Sequence, residues 1–93
     1  MIKTFNCKET EKLFNGKFIK KLPTGIQRPA LRKLKILDAA TILDTLKVPP
    51  GNRLEALKGD RNGQHSLRIN DQWRICFTWS QGDAFEVEII DYH

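Results

Sequence analysis

The chain has 93 residues, 40% hydrophobic and 29% charged, which suits one globular domain over residues 1–93. That length excludes a TIM barrel or a full dinucleotide-binding fold, and the composition excludes a disordered tail. Sixteen Lys and Arg against eleven Asp and Glu leave a net charge of +5. A basic balance points either to a polyanion such as RNA or DNA, or to a solvated surface that keeps a small protein soluble.

Met1–Phe5 reads as a short strand. Asn6 with Glu9 resembles a capping box, so a first helix is expected over about Cys7–Asn15, stopping at Gly16. Lys17–Gly25 mixes Lys, Pro, Thr and Gly and offers few core positions, so it is expected to be the least ordered stretch. A second helix starts near Ile26–Pro29 and runs to about Leu46. Its apolar residues drift round the axis, so it is either covered on two sides or bent near Asp38. Pro49–Gly63 reads as a long turn-rich loop.

Three strands follow, at Gln64–Ile69, Gln72–Trp79 and Ala84–Tyr92. The alternation puts Leu67 and Ile69 on one face, with Ser66 and Arg68 on the other. It puts Trp73, Ile75, Phe77 and Trp79 opposite Arg74, Cys76 and Thr78, and Phe85, Val87 and Ile89 opposite Glu86 and Glu88. The expected fold is α+β: a short N-terminal strand, two helices on one face, then a three-stranded antiparallel meander.

The N-terminus has no apolar leader and no run of residues is long and apolar enough to span a membrane, so a cytoplasmic protein is expected, with no membrane partner. Cys7 and Cys76 read as small buried hydrophobes. Neither has a CxxC partner, and His65 and His93 make no metal-site spacing, so no metal or cofactor is expected. His65 reads as a half-exposed strand residue.

Arg74 is expected on the open face of the sheet, on a rigid middle strand. Asp91, Tyr92 and His93 put an acid, a phenol and an imidazole together at the end of the chain. Arg and Lys close to a His suit ribonuclease-type phosphodiester cleavage. The plainer alternative has Arg74 as a surface strand residue, Tyr92 at the core edge and His93 as a bare terminal residue. Asp60 and Arg61 suit either the site or a mutual pair that shapes their turn. Glu86 and Glu88 oppose an RNA role by their sign and suit the basic residues of a protein partner.

Three segments go further than spacing. They are Pro50–Ser66 with its Leu-Lys-Gly-Asp-Arg loop, Arg68–Phe77 with Asn-Asp-Gln-Trp-Arg, and the closing Asp91-Tyr92-His93. Together with Ile2–Phe5 and Leu37–Ala40 they resemble the HigB toxins, also called killer or host-inhibition toxins, of the RelE/ParE superfamily. The resemblance covers nearly the whole chain. It implies a RelE-like, microbial-RNase-type α+β fold and a ribosome-dependent endoribonuclease that cuts mRNA in the A site of the 30S subunit. It implies a HigA-like helix-turn-helix antitoxin as partner, with operator DNA bound only through that antitoxin.

Carried over, Arg74 corresponds to the strand arginine at the scissile phosphate. Asp91, Tyr92 and His93 correspond to the C-terminal catalytic cluster, with His93 the general acid or base. Lys58 corresponds to the loop lysine, and Lys58, Arg61, Arg68, Arg53 and Lys33 are the candidate RNA contacts. One departure is Glu55, which stands where some relatives carry a histidine; Glu is able to serve as a general base for a 2′-hydroxyl. The competing readings are a same-fold toxin with another target, as in gyrase poisons, and a non-catalytic RNA- or protein-binding module.

Overall fold

The structure is a computed structural model that describes residues 1–91; Tyr92 and His93 lie outside the described residues. The first helix, α1, spans Lys8–Phe14. Its N-cap is Cys7, not Asn6, and no side chain caps it. Asn6 is held elsewhere: its backbone N–H donates to the Val87 carbonyl at 3.0 Å and its amide to Glu88 at 3.1 Å. The stop at Gly16 is a Schellman arrangement. Gly16 takes φ +89°, its N–H donates to Leu13, and the Lys17 N–H donates to Lys12, both at 2.9 Å.

The stretch after α1 is better anchored than its composition suggests. Ile19 is buried, and Gln27 brackets it: Oε1 accepts from the Ile19 N–H at 3.0 Å, and Nε2 donates to the Ile19 carbonyl at 2.6 Å. Gln27 Nε2 also reaches the Leu22 carbonyl at 3.0 Å.

Helix α2 spans Thr24–Ala39, so it ends well short of Leu46. Tertiary contact decides the end. The Asp38 carboxylate accepts the Ile2 N–H at 2.8 Å, and Ala40 turns extended and is buried. A 3-10 turn at Leu43–Lys47 then carries Leu46 into the core separately. The drifting apolar stripe is therefore two elements: Ala30, Leu34 and Leu37 from α2, and Leu46 from the turn.

Four antiparallel strands form the sheet, in the order β1 (Glu55–Ala56), β2 (His65–Arg68), β3 (Trp73–Ser80), β4 (Asp83–Asp91). The meander is as expected, but β1 lies within the stretch expected to be loop; two residues are too few for alternation to register. The N-terminal segment flanks β4 through parallel bridges at Ile2–Ala84 and Phe5–Val87. Asn70 closes the β2–β3 turn, its Oδ1 accepting the Gln72 and Trp73 N–H groups at 2.8 Å each. Gln81 and Gly82 both take positive φ, which matches the right-handed twist of the β3–β4 hairpin.

One expected face assignment is overturned. Phe85 pairs with Thr78, away from the core, and Ala84 takes the inward place. The ladder shifts register between Cys76 and Thr78, and Glu86, at φ +53°, is the extra residue that returns Val87 to the core. The core joins Leu34, Leu37 and Ala30 to Leu67, Ile75, Phe77 and Val87. The helices thus cover one face of the sheet and leave the other to polar residues.

Candidate active site

The polar face is set by register. Glu55 pairs with Ser66, Ser66 with Cys76, and Cys76 with Glu88, so these four share one side. Arg68, Arg74 and Ile90 form the next row. Arg74 does stand opposite the apolar set, but this face is not open at that point: Arg74 is only 7% exposed. The segment after Pro49 folds over it.

The Arg74 guanidinium is held by named acceptors. Its Nε–H donates to Ser66 Oγ at 2.7 Å, and an Nη–H donates to the Arg53 carbonyl at 2.7 Å. Glu55 Oε2 lies 3.9 Å from the same Nη, a loose ion pair with a half-exposed carboxylate. A planar, permanently charged fork beside a solvent-reaching carboxylate can bind a phosphate and place a base next to it.

Arg61 joins this face without pairing with Asp60. It donates to Glu88 Oε1 at 2.8 Å and to Gln64 Oε1 at 2.9 Å. The hydrogen bond to Glu88 is the main reason its guanidinium is held above the ordinary arginine range; burial works in the opposite direction. Glu88 therefore meets a basic residue of its own chain. Behind it, burial pushes the Cys76 thiol up; Glu88 adds to that, while Arg61 and Arg74 oppose it. Cys76 is thus a buried neutral thiol, as expected; Cys7 is partly buried.

The other candidates are dispersed. Lys58 is exposed at the start of the 3-10 turn Gly59–Arg61. Arg68 turns toward the hairpin and pairs with Asp71. Asp91 pairs with Trp73 in register, which puts it on the face opposite Arg74; its carboxylate accepts from Gln72 at 3.1 Å. Lys33, a candidate RNA contact, directs its Nζ to Asn52 Oδ1 inside the protein. Burial, then Arg32 and Arg68, hold its amine below the usual lysine range. His65 is half-buried, its ring 5.9 Å from that of Phe77. Ser66 and Asn52 were missed. Ser66 carries a signal, a hydroxyl on the Arg74 side of the alternation; Asn52, inside a turn-rich loop, carries none.

A family model described as the RelE-like toxin of type II toxin-antitoxin system HigB matches residues 3–93. The chain belongs to this HigB-like toxin family. Toxin HigB-1 of Vibrio cholerae is 43% identical over 72 residues, 77% of this chain and 75% of that protein. Endoribonuclease HigB of Proteus vulgaris is 33% identical over 93 residues, the full length of both. Among solved structures, YafQ of E. coli superposes with a TM-score of 0.58 at 13% identity, covering 98% of this chain and 93% of that one. A chain of a heterotetrameric YoeB-YefM toxin-antitoxin complex from Staphylococcus aureus gives 0.55 at 15% identity, over 100% and 98%. At such identities the likeness concerns the fold alone, a small α+β domain; the RelE-like description comes from the family model. Among the described residues, no helix is long and apolar enough to cross a membrane.

Proposed function

We propose that this HigB-like toxin is a ribosome-dependent mRNA endoribonuclease. The observation that carries the reading is the Arg74 guanidinium, fixed by Ser66 and Arg53 beside the Glu55 carboxylate on the polar sheet face. The family membership and the name of the Proteus relative support it.

The reaction is transesterification. A base takes the ribose 2′-hydroxyl proton, and the 2′-oxygen attacks phosphorus. The bond to the 5′-oxygen breaks as an acid protonates it, leaving a cyclic phosphate and a 5′-hydroxyl. Arg74 stabilises the charge that develops on the phosphoryl oxygens. Glu55 is the base on the described face. His93 supplies the acid, assisted by Tyr92; Asp91, on the opposite face, has no part in the step. Arg61, on the same face through Glu88, and the exposed Arg53 and Lys58 contact the RNA backbone, which positions without reading sequence. The toxin acts as one domain, residues 1–93, in the cytoplasm at the 30S A site. A HigA-like antitoxin neutralises it and brings the pair to operator DNA.

Induction with and without the neighbouring antitoxin gene, followed by mapping of mRNA 5′ ends, tests this. New ends within codons, lost when the antitoxin is co-expressed, are expected. Intact mRNA with broken DNA would indicate a gyrase-type target instead. Growth arrest with neither lesion would overturn the nuclease assignment.

A further inference from the structure

We infer that Ser66, Asn52 and Lys33 are positioning residues that hold the Arg74 guanidinium in its working orientation, and that Lys33 acts through this relay and not by touching RNA. The inference rests on the reading of Arg74 as the phosphate-facing group.

Arginine loses considerable side-chain rotamer entropy when it is held in one conformation. A guanidinium that must meet a phosphate in one geometry gains from being held there beforehand. Among the described residues, two contacts contribute to this. Ser66 lies diagonally across the β2–β3 ladder from Arg74, is fully buried, and offers its Oγ to Nε–H at 2.7 Å. The Arg53 carbonyl takes an Nη–H at 2.7 Å. Fixing two nitrogens of a planar fork fixes its plane.

The second contact rests on an unusual backbone. Arg53 is left-handed, at φ 42° and ψ 60°, a conformation that is strained for a non-glycine residue. Something must hold it, and Asn52, immediately before it, is bolted in on three sides. Its Nδ2 donates to the Leu46 and Val48 carbonyls at 3.2 Å each, and its Oδ1 accepts from Lys33 Nζ. Its own N–H donates to Pro49 at 2.9 Å, and the Arg53 N–H donates to Pro50 at 3.1 Å. Asn52 and Ser66 are both 0% exposed, so neither reaches a substrate. Their polar atoms are directed to Lys33, to the turn before Arg53 and to Arg74. The relay runs from α2 through Lys33 and Asn52 to the Arg53 carbonyl, and so to Arg74.

The test is a mutant cycle on purified full-length toxin with mRNA-programmed ribosomes. It reads the single-turnover maximal rate and the half-saturating ribosome concentration for wild type, Ser66→Ala, Arg74→Ala and the double variant. Ser66→Ala is expected to lower the maximal rate about tenfold, with half-saturation within twofold of wild type. In the Arg74→Ala background it should have no further effect, because residues acting through one group are not additive. An equal loss in both backgrounds would overturn the inference for Ser66. Lys33→Met is expected to lower the maximal rate and leave the salt dependence of half-saturation unchanged. A weaker half-saturation with a salt slope reduced by about one would make Lys33 a phosphate contact and overturn its place in the relay. If Arg74→Ala itself cleaves at the wild-type rate, the reading of Arg74 fails first, and the relay fails with it.

Discussion

On the helix side of the sheet, Leu67, Ile75 and Phe77 are closed off by α2 and its neighbours; on the other side, Ser66, Arg74 and Cys76 are also buried, and Arg74 is held by polar contacts to Ser66 and to the loop. The first face is buried by area, which is non-directional and tolerant of small shifts. The second is buried by hydrogen bonds, which fail abruptly when a partner is lost. The difference teaches where stability and chemistry reside. Apolar packing on one side holds the strands rigid, and that rigidity lets a charged group stand buried on the other.

The comparison can be broken at several depths. The largest effect belongs to the apolar face: Phe77→Ala should cost about 3–5 kcal/mol, read as a fall in the urea midpoint, and abolish cleavage by unfolding alone. Glu88→Gln should cost less, about 1 kcal/mol, since the Arg61 guanidinium is half-exposed. It should also let the Cys76 thiol pKa fall, because Glu88 is one of the groups holding it up, as thiolate absorbance against pH will register.

A pH dependence follows from the same cysteine. Its folded pKa is raised, so the folded state resists ionisation that the unfolded chain undergoes near its ordinary value. The contribution is complete below the unfolded thiol pKa, about 8.5, and is lost as pH rises through the folded value. Cys76→Ala should therefore flatten the alkaline decline in stability, measured by denaturant midpoints across that range. The smallest effect is expected from Asp71→Asn. This residue is almost fully exposed, and its pair with Arg68 should contribute at most about 0.5 kcal/mol to the unfolding free energy.

Much of the architecture was legible because it is local. The period-two alternation of β2 and β3 placed Ser66, Arg68 and Arg74 on one side, and Gly16 marked the end of α1. What stayed hidden was decided by partners far along the chain. The end of α2 depends on Asp38 meeting the Ile2 N–H, and the first helix lost its expected Asn6 cap to β4. Arg61 suits either the site or a pair with Asp60 until the fold brings Glu88 to it across 27 positions. The site was half legible for the same reason. Arg74 is legible from the strand alternation and Glu55 from the family resemblance, whereas Asn52 and the Arg53 carbonyl act through backbone geometry that side-chain identity does not report. Asp91 was grouped with Arg74, yet strand register sends it to the opposite face.

The central claim is that Arg74 performs chemistry and the apolar face performs support. It is tested most directly by the cleavage rate of Arg74→Ala on programmed ribosomes, taken together with its circular dichroism. The account predicts a rate lower by about 10²–10³-fold in a chain with native secondary structure and a cooperative unfolding transition. A folded Arg74→Ala protein that cuts mRNA within a few-fold of wild type would contradict it.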